Sequence, residues 1–263
     1  MKRHMPRFPA PRLRHRSQLV EASGRAVLEL LRKLARCGAV LCLISASVGA
    51  AAGEFHGYLT AGTDYVFRGV SQSNEDPTLQ GGLDFAHAGG FFAGLFAAGI
   101  DYPETPFRPD PGNFELDAYL GFARPAGRDF AWDVALIHYQ FLESAAQNDA
   151  YQELGFNLHY RDVARLGLTA SDDARTGGSS GWTVELELRQ PIGQDFQVSG
   201  TLGRYTFARS DWRDYLYWDA GVSSVVGPVT LDLRYYDTSD EAETLAGPRL
   251  TRGRVVASLS VGF

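Results

Sequence analysis

"WTVELELRQ" runs from Trp182 to Gln190, and its side chains sort by position number. Trp182, Val184, Leu186 and Leu188 share one parity, while Thr183, Glu185, Glu187 and Arg189 share the other. A period of two belongs to a β-strand, whose successive side chains point to opposite faces. One face here is apolar throughout and the other polar or charged, so the stretch predicts a strand lying between two very different environments.

The same alternation recurs along the chain. "FHGYLTAGTDYVFRGV" sets Phe55, Leu59, Ala61, Tyr65 and Phe67 against His56, Thr60, Asp64 and Arg68. "TLQGGLDFAH" sets Leu79, Leu83 and Phe85 against Gln80 and Asp84, and "NFELDAYLGF" sets Phe114, Leu116, Leu120 and Phe122 against Glu115 and Asp117. "RVVASLSVGF" places Val255, Ala257, Leu259, Val261 and Phe263 on one face. No stretch between Phe55 and Phe263 carries a convincing helical period. With weaker segments included, twelve strands are expected at 55–69, 78–87, 91–102, 113–123, 130–141, 151–160, 166–173, 182–190, 196–207, 214–226, 229–237 and 252–263.

The connections alternate in length. "HAGG", "RPAGRD", "RDVAR", "PIGQD" and "GP" are short and carry Gly, Pro or Asp turn chemistry, whereas "VSQSNEDP", "PETPFRPDPG" and "TSDEAETLAGPRLT" are long and polar. An even number of alternating strands with short turns at one end and long loops at the other predicts an all-β, antiparallel, up-and-down transmembrane β-barrel. Its short turns and both termini would be periplasmic and its long loops extracellular. A β-sandwich or a lipocalin-like barrel also alternates, but there the apolar face is the inside. The aromatic residues near strand ends (Phe55, Phe67, Trp132, Tyr160, Trp182, Trp218) and the terminal Phe263 favour the membrane barrel. An unpaired strand edge is prohibitively costly in lipid, so the last strand is expected to close against the first.

Residues 1–52 read as a separate unit. They hold ten basic residues against Glu21 and Glu29, both cysteines (Cys37 and Cys42), and the apolar run "CGAVLCLISASVGAAA". This is the pattern of a secretory signal peptide, cleaved around Ala50 to Ala52, with residues 1 to about 30 reading as an over-extended start. The apolar run is shorter than the roughly twenty residues a spanning helix needs. The barrel is then residues 53–263, exported to the bacterial outer membrane. That portion has 15 arginines, no lysine, 29 acidic residues and no cysteine. Disulfides and thiolate metal sites are thereby excluded, and the net charge near −14 argues against a nucleic-acid partner.

"DYVFRGVSQS" and "PTLQGGLDFAH", followed by "ELDAYLGF" and "YQELGF", resemble the TorF-type porin family, a proteobacterial group of outer-membrane barrels. The resemblance extends over most of residues 54–263, with its weight in the first third. It implies an outer-membrane channel and supplies no substrate.

By parity, the lumen receives Asp64, Asp84, Asp101, Glu115, Asp117, Asp133, Glu153, Glu185, Glu187, Asp219 and Asp232, against Arg68, Arg189, Arg234, Arg252 and Arg254. Twelve strands lie between the filled eight-stranded barrels and the open sixteen-stranded porins, so a channel would be narrow. Its constriction would draw on Asp64, Arg68, Arg252 and Arg254 along one wall, opposite Glu115, Asp117, Glu185 and Glu187, with Arg234 a further lumen candidate. The expected function is a narrow channel for small polar or cationic solutes. The alternative is a non-conducting structural or adhesive barrel acting through its loops, and such charges can also simply brace the interior. His56, His87, His138 and His159 show no metal-ligand spacing, and no nucleophile-elbow pattern occurs, so neither enzyme activity nor a cofactor or metal is expected. The expected partners are outer-membrane lipids and lipopolysaccharide, small solutes and, transiently, the outer-membrane assembly machinery. The last would read the C-terminal strand through Val255, Leu259, Val261 and Phe263. Replacing Phe263 with Asp is therefore expected to lower the yield of heat-modifiable folded barrel in the outer membrane while export continues, as fractionation and gel mobility would measure.

Overall fold

In the computed structural model, residues 53–102, 112–142, 150–173, 179–208 and 212–263 are described; the expected signal peptide, 1–52, lies outside them. The alternating segments become strands β1 (Gly53–Gly62), β4 (Thr78–His87), β5 (Phe91–Gly99), β6 (Phe114–Ala126), β7 (Phe130–Leu142), β8 (Ala150–Tyr160), β9 (Ala164–Ser171), β10 (Gly181–Ile192), β11 (Phe196–Phe207), β12 (Tyr215–Val226), β13 (Val229–Thr238) and β14 (Arg254–Gly262). A two-stranded ribbon, β2 (Val66–Phe67) and β3 (Val70–Ser71), intervenes between β1 and β4, and a short helix, α1 (Glu243–Thr251), precedes β14.

The twelve long strands pair in chain order and close into a barrel through β14 against β1. Closure runs from Tyr58↔Gly262 to Gly62↔Ser258, and Phe263 and Gly57 exchange backbone hydrogen bonds of 2.8 and 2.9 Å below it. A Cβ at Gly57 would lie 2.3 Å from the edge of the exposed Phe263 ring, so a larger residue there would have to turn that ring aside.

The facing is that of a membrane-spanning barrel. Leu59, Leu95, Leu120, Leu154, Leu186, Leu202 and Leu233 are exposed on the outer surface, while Glu115, Asp117, Asp133 and Glu153 are buried within it. A soluble barrel would reverse this arrangement. At the short-turn end the outer surface carries ring pairs Phe55–Phe85, Phe91–Phe122 and Phe130–Tyr160, with centroids 4.8 to 5.1 Å apart. Amphipathic and aromatic side chains of this kind settle at the membrane interface.

Four expectations need correction. Alternation predicts a first strand that continues to residue 69, with Tyr65 and Phe67 on the lipid face; β1 ends at Gly62, and Tyr65 lies fully buried inside. The segment after β13 is expected to be loop and contains α1, whose Gly247 and Pro248 interrupt it and hide any helical period. β14 starts at Arg254, so Arg252 stands exposed above the barrel rim and not in the lumen. Asp101 follows the end of β5 and is exposed as well.

Facing makes opposite claims for substitutions on adjacent walls. Leu186→Arg, near the middle of β10, is expected to cost about 2–4 kcal/mol in unfolding from lipid vesicles. Thr201→Gln, on the lumen side of β11, is expected to cost well under that in the same denaturant titration.

Candidate functional site

The segment between β1 and β4 reads "TDYVFRGVSQSNEDP", and its consecutive Tyr65, Val66 and Phe67 break the alternation. A run apolar on both faces suits a strand surrounded on both sides. It folds into the barrel as the β2–β3 hairpin, with Val66 paired to Ser71 and Phe67 to Val70. The two residues between, Arg68 and Gly69, have φ of +49° and +80°. Positive φ at both central positions is the type I′ turn, whose twist matches the flanking strands. A Cβ on Gly69 would lie 2.3 Å from Thr238 Cγ2 on β13, so only glycine fits that position. Arg68 has no such freedom, and its left-handed conformation costs about 1–3 kcal/mol.

The offsetting contacts reach the far wall. The Arg68 guanidinium donates to both carboxylate oxygens of Glu153 on β8, at 2.7 and 2.8 Å, and Tyr139 donates to the same carboxylate at 3.1 Å. The guanidinium carbon lies 4.4 Å from the Phe67 ring centroid and 4.9 Å from that of Tyr205. Bidentate pairing and ring stacking are what distinguish arginine from lysine at such a position. Tyr215 donates to the Arg68 carbonyl at 3.2 Å. Above the tip, Tyr65 donates to Glu115 at 2.7 Å, and Asp64 accepts from Ser71, Ser73 and Arg254 at 2.6, 3.0 and 3.0 Å. Tyr65 and Val70 join Phe96, Tyr139, Phe141, Tyr151, Tyr205, Phe207 and Tyr215 in one apolar cluster, so the half of the barrel away from the short turns is filled.

The half nearer the short turns is ionic. Glu187 holds both Arg189 (2.5 Å) and Arg165 (3.1 Å), and Arg165 also pairs with Glu185 and donates to Asn157 at 2.9 Å. Arg234 pairs with Asp219 and, at 3.0 Å, with Asp232. Asp133 meets His159 at 2.6 Å and Asn157 at 2.9 Å. Between these walls and the hairpin tip lies a cavity of about 270 Å³.

The expected constriction residues are thus brought together differently from the opposed walls anticipated. Glu185, Glu187 and Arg234 share the ionic wall of the cavity, where acids and arginines interleave. Asp64 and Arg254 meet at the seam of the first and last strands; Arg68 is on the opposite side, at Glu153. Glu115 anchors the hairpin, Asp117 is buried on the same strand, and Arg252 binds Glu75 outside. Arg165 and His159 were missed: β9 begins at Ala164, two residues earlier than its apolar pattern suggests, and this turns Arg165 inward. The hairpin was missed as well; the signals that could have found it are the unbroken "YVF" run and the "RG" dipeptide.

A closed barrel, apolar outside and ionic within, with a chain segment folded into its lumen, is a transmembrane β-barrel. Residues 47–261 match the model of the family described as "Bacterial protein of unknown function (Gcw_chp)", and the chain belongs to that family. Comparison with curated proteins gives no match. Among solved structures, the KdgM porin is similar in fold, with 8% identity over 80% of this chain and 99% of that one and a TM-score of 0.50. The NanC porin aligns at 10% identity over 79% and 98% of the two chains, also with a TM-score of 0.50.

The hairpin's outer shoulder is sensitive to acid. Partial burial works to raise the Glu75 carboxyl, but the hydrogen bond from Arg252 and the charges of Arg254 and Arg252 outweigh it and hold the group below its ordinary 4.5. A carboxylate depressed in the folded state stabilises above its unfolded pKa, and the contribution fades as pH falls through the folded one. Arg252 is largely exposed, which limits the link to about 1 kcal/mol. Between pH 7 and pH 3 the melting temperature is therefore expected to fall further for the native protein than for Glu75→Gln, the difference developing below pH 4.5.

Proposed function

We propose that the protein is an outer-membrane channel for small polar solutes, with a preference for cations. The observation that carries this reading is the cavity inside the barrel, where six carboxylates (Asp133, Glu153, Glu185, Glu187, Asp219 and Asp232) face four arginines (Arg68, Arg165, Arg189 and Arg234). Desolvated charges are costly even when paired, and water admitted to the cavity lifts that cost. The acid excess gives the lumen a negative potential, which concentrates cations and repels anions. The resemblance to the TorF-type porins and the porin fold of the structural neighbours support the same reading. In this reading the leader over residues 1–52 exports the chain, the assembly machinery recognises the strand ending in Phe263, and the barrel sits among outer-membrane lipids and lipopolysaccharide. The channel itself performs no chemistry. The filled extracellular half favours a second reading, a non-conducting structural or adhesive barrel.

Planar-bilayer recordings separate the two. The refolded barrel is expected to conduct, with a reversal potential in a salt gradient that marks cations as the favoured ions. Glu185→Gln combined with Glu187→Gln is expected to lower that preference, because Arg165 and Arg189 would then lose their acidic partners. Selectivity is also expected to fade between about 0.1 M and 1 M salt, as the Debye length falls from about 10 to 3 Å. A barrel that conducts neither in its native form nor with the hairpin removed would favour the structural reading, and one that prefers anions would place control with the arginines.

A further inference from the structure

We propose that the β2–β3 hairpin is a displaceable plug, docked in this structure and held by the Arg68–Glu153 pair, whose release opens the lumen. The proposal rests on the channel reading above and adds its gate.

Topology permits the movement. β1 and β4 pair without interruption from Gly53↔His87 to Gly62↔Thr78, so the hairpin leaves and re-enters the wall at two residues paired with each other. The barrel is closed without it. Backbone hydrogen bonds from the rest of the wall to the segment are few: among the described residues, Thr63 donates to Ala257 at 3.1 Å and Asp101 donates to Gln72 at 2.9 Å, both near its base. The rest of the attachment is by side chains.

The attachment at the tip also suits a reversible device. Arg68 adopts a strained backbone conformation whose compensation is the contact with Glu153. A buried ion pair is close to break-even against full solvation of both partners, while leaving one partner buried alone is strongly unfavourable. The pair therefore defines two acceptable states, docked together or both in water. An apolar tip would offer only the first. The cavity touches Arg68 and Glu153 directly, so undocking the tip extends an existing space and does not require the barrel to deform.

The test uses four refolded proteins in planar bilayers: the native barrel, Arg68→Glu, the exchange Arg68→Glu with Glu153→Arg, and a barrel in which residues 63–77 are replaced by an Asn-Gly turn. Heat-modifiable mobility confirms that each is folded. In Arg68→Glu, repulsion between the introduced carboxylate and that of Glu153 is expected to raise the mean conductance per channel at least about tenfold over the native barrel, through a larger fraction of time undocked. The exchange is expected to return it towards the native level, and the hairpin-less barrel to conduct most. Because both native cysteines lie in residues 1–52, a thiol at Val66, only 3% exposed, reports undocking independently: Val66→Cys is expected to react with a bulky maleimide faster when combined with Arg68→Glu than alone. If the hairpin-less barrel conducts no better than a conducting native barrel, the plug is refuted and the channel stands. If it conducts well while Arg68→Glu stays shut and its Val66→Cys unreactive, the segment is a fixed filling and the proposed latch is refuted. If no protein conducts, the channel reading fails and the gate fails with it.

Discussion

Everything in this molecule depends on the exclusion of water from its outer surface. In hydrocarbon no strand edge can be left unpaired, so the sheet must close on itself, and β14 must meet β1. Closure in turn turns one parity of every strand inward. The charged side chains that this parity turns into the lumen must then find their partners there. Arginine answers this better than lysine, because one guanidinium can serve two or three acceptors in fixed directions. Arg165 serves Glu185, Glu187 and Asn157, and Arg234 serves Asp219, Asp232 and Ser199. The absence of lysine from residues 53–263 matches that demand.

The lumen is filled in two different ways. Towards the short turns, ion pairs laid along neighbouring strands keep the side chains against the wall and leave the cavity between them. Towards the opposite rim, the filling is aromatic: Tyr139 stacks on Tyr151 and Tyr205 on Phe207, at 4.4 and 4.3 Å. This apolar lining is what the hairpin packs against through Tyr65 and Val70. Arg68 is placed where the two fillings meet, its guanidinium against two rings and its charge on the uppermost acid of the cavity.

Much of this could be read before any coordinates, because one physical rule repeated twelve times. β4, β11 and β12 fall within a residue of their expected limits, since alternation and turn chemistry agree there. The facing of Leu186 against Glu187 follows directly from parity. The reading failed where side chains have a third choice besides lipid and water. Tyr65 and Phe67 are apolar at alternate positions, and nothing in the alternation separates burial in lipid from burial inside the barrel. The ion-pair partners were equally hidden. Parity gives the wall on which Arg68 starts, but the partner depends on how far a loop reaches across the lumen, and Glu153 is 85 positions away.

The position of the hairpin also imposes an order on assembly. Its segment belongs to the earliest part of the barrel, yet its contacts are to Glu153 on β8, Thr238 on β13 and Arg254 on β14. Until the last strand has joined the first, half of the surface that receives it does not exist. An open, half-built sheet must carry Tyr65, Val66 and Val70 unsheltered, and only completed closure buries them. Seating of the hairpin thus works as an internal record that the barrel is finished.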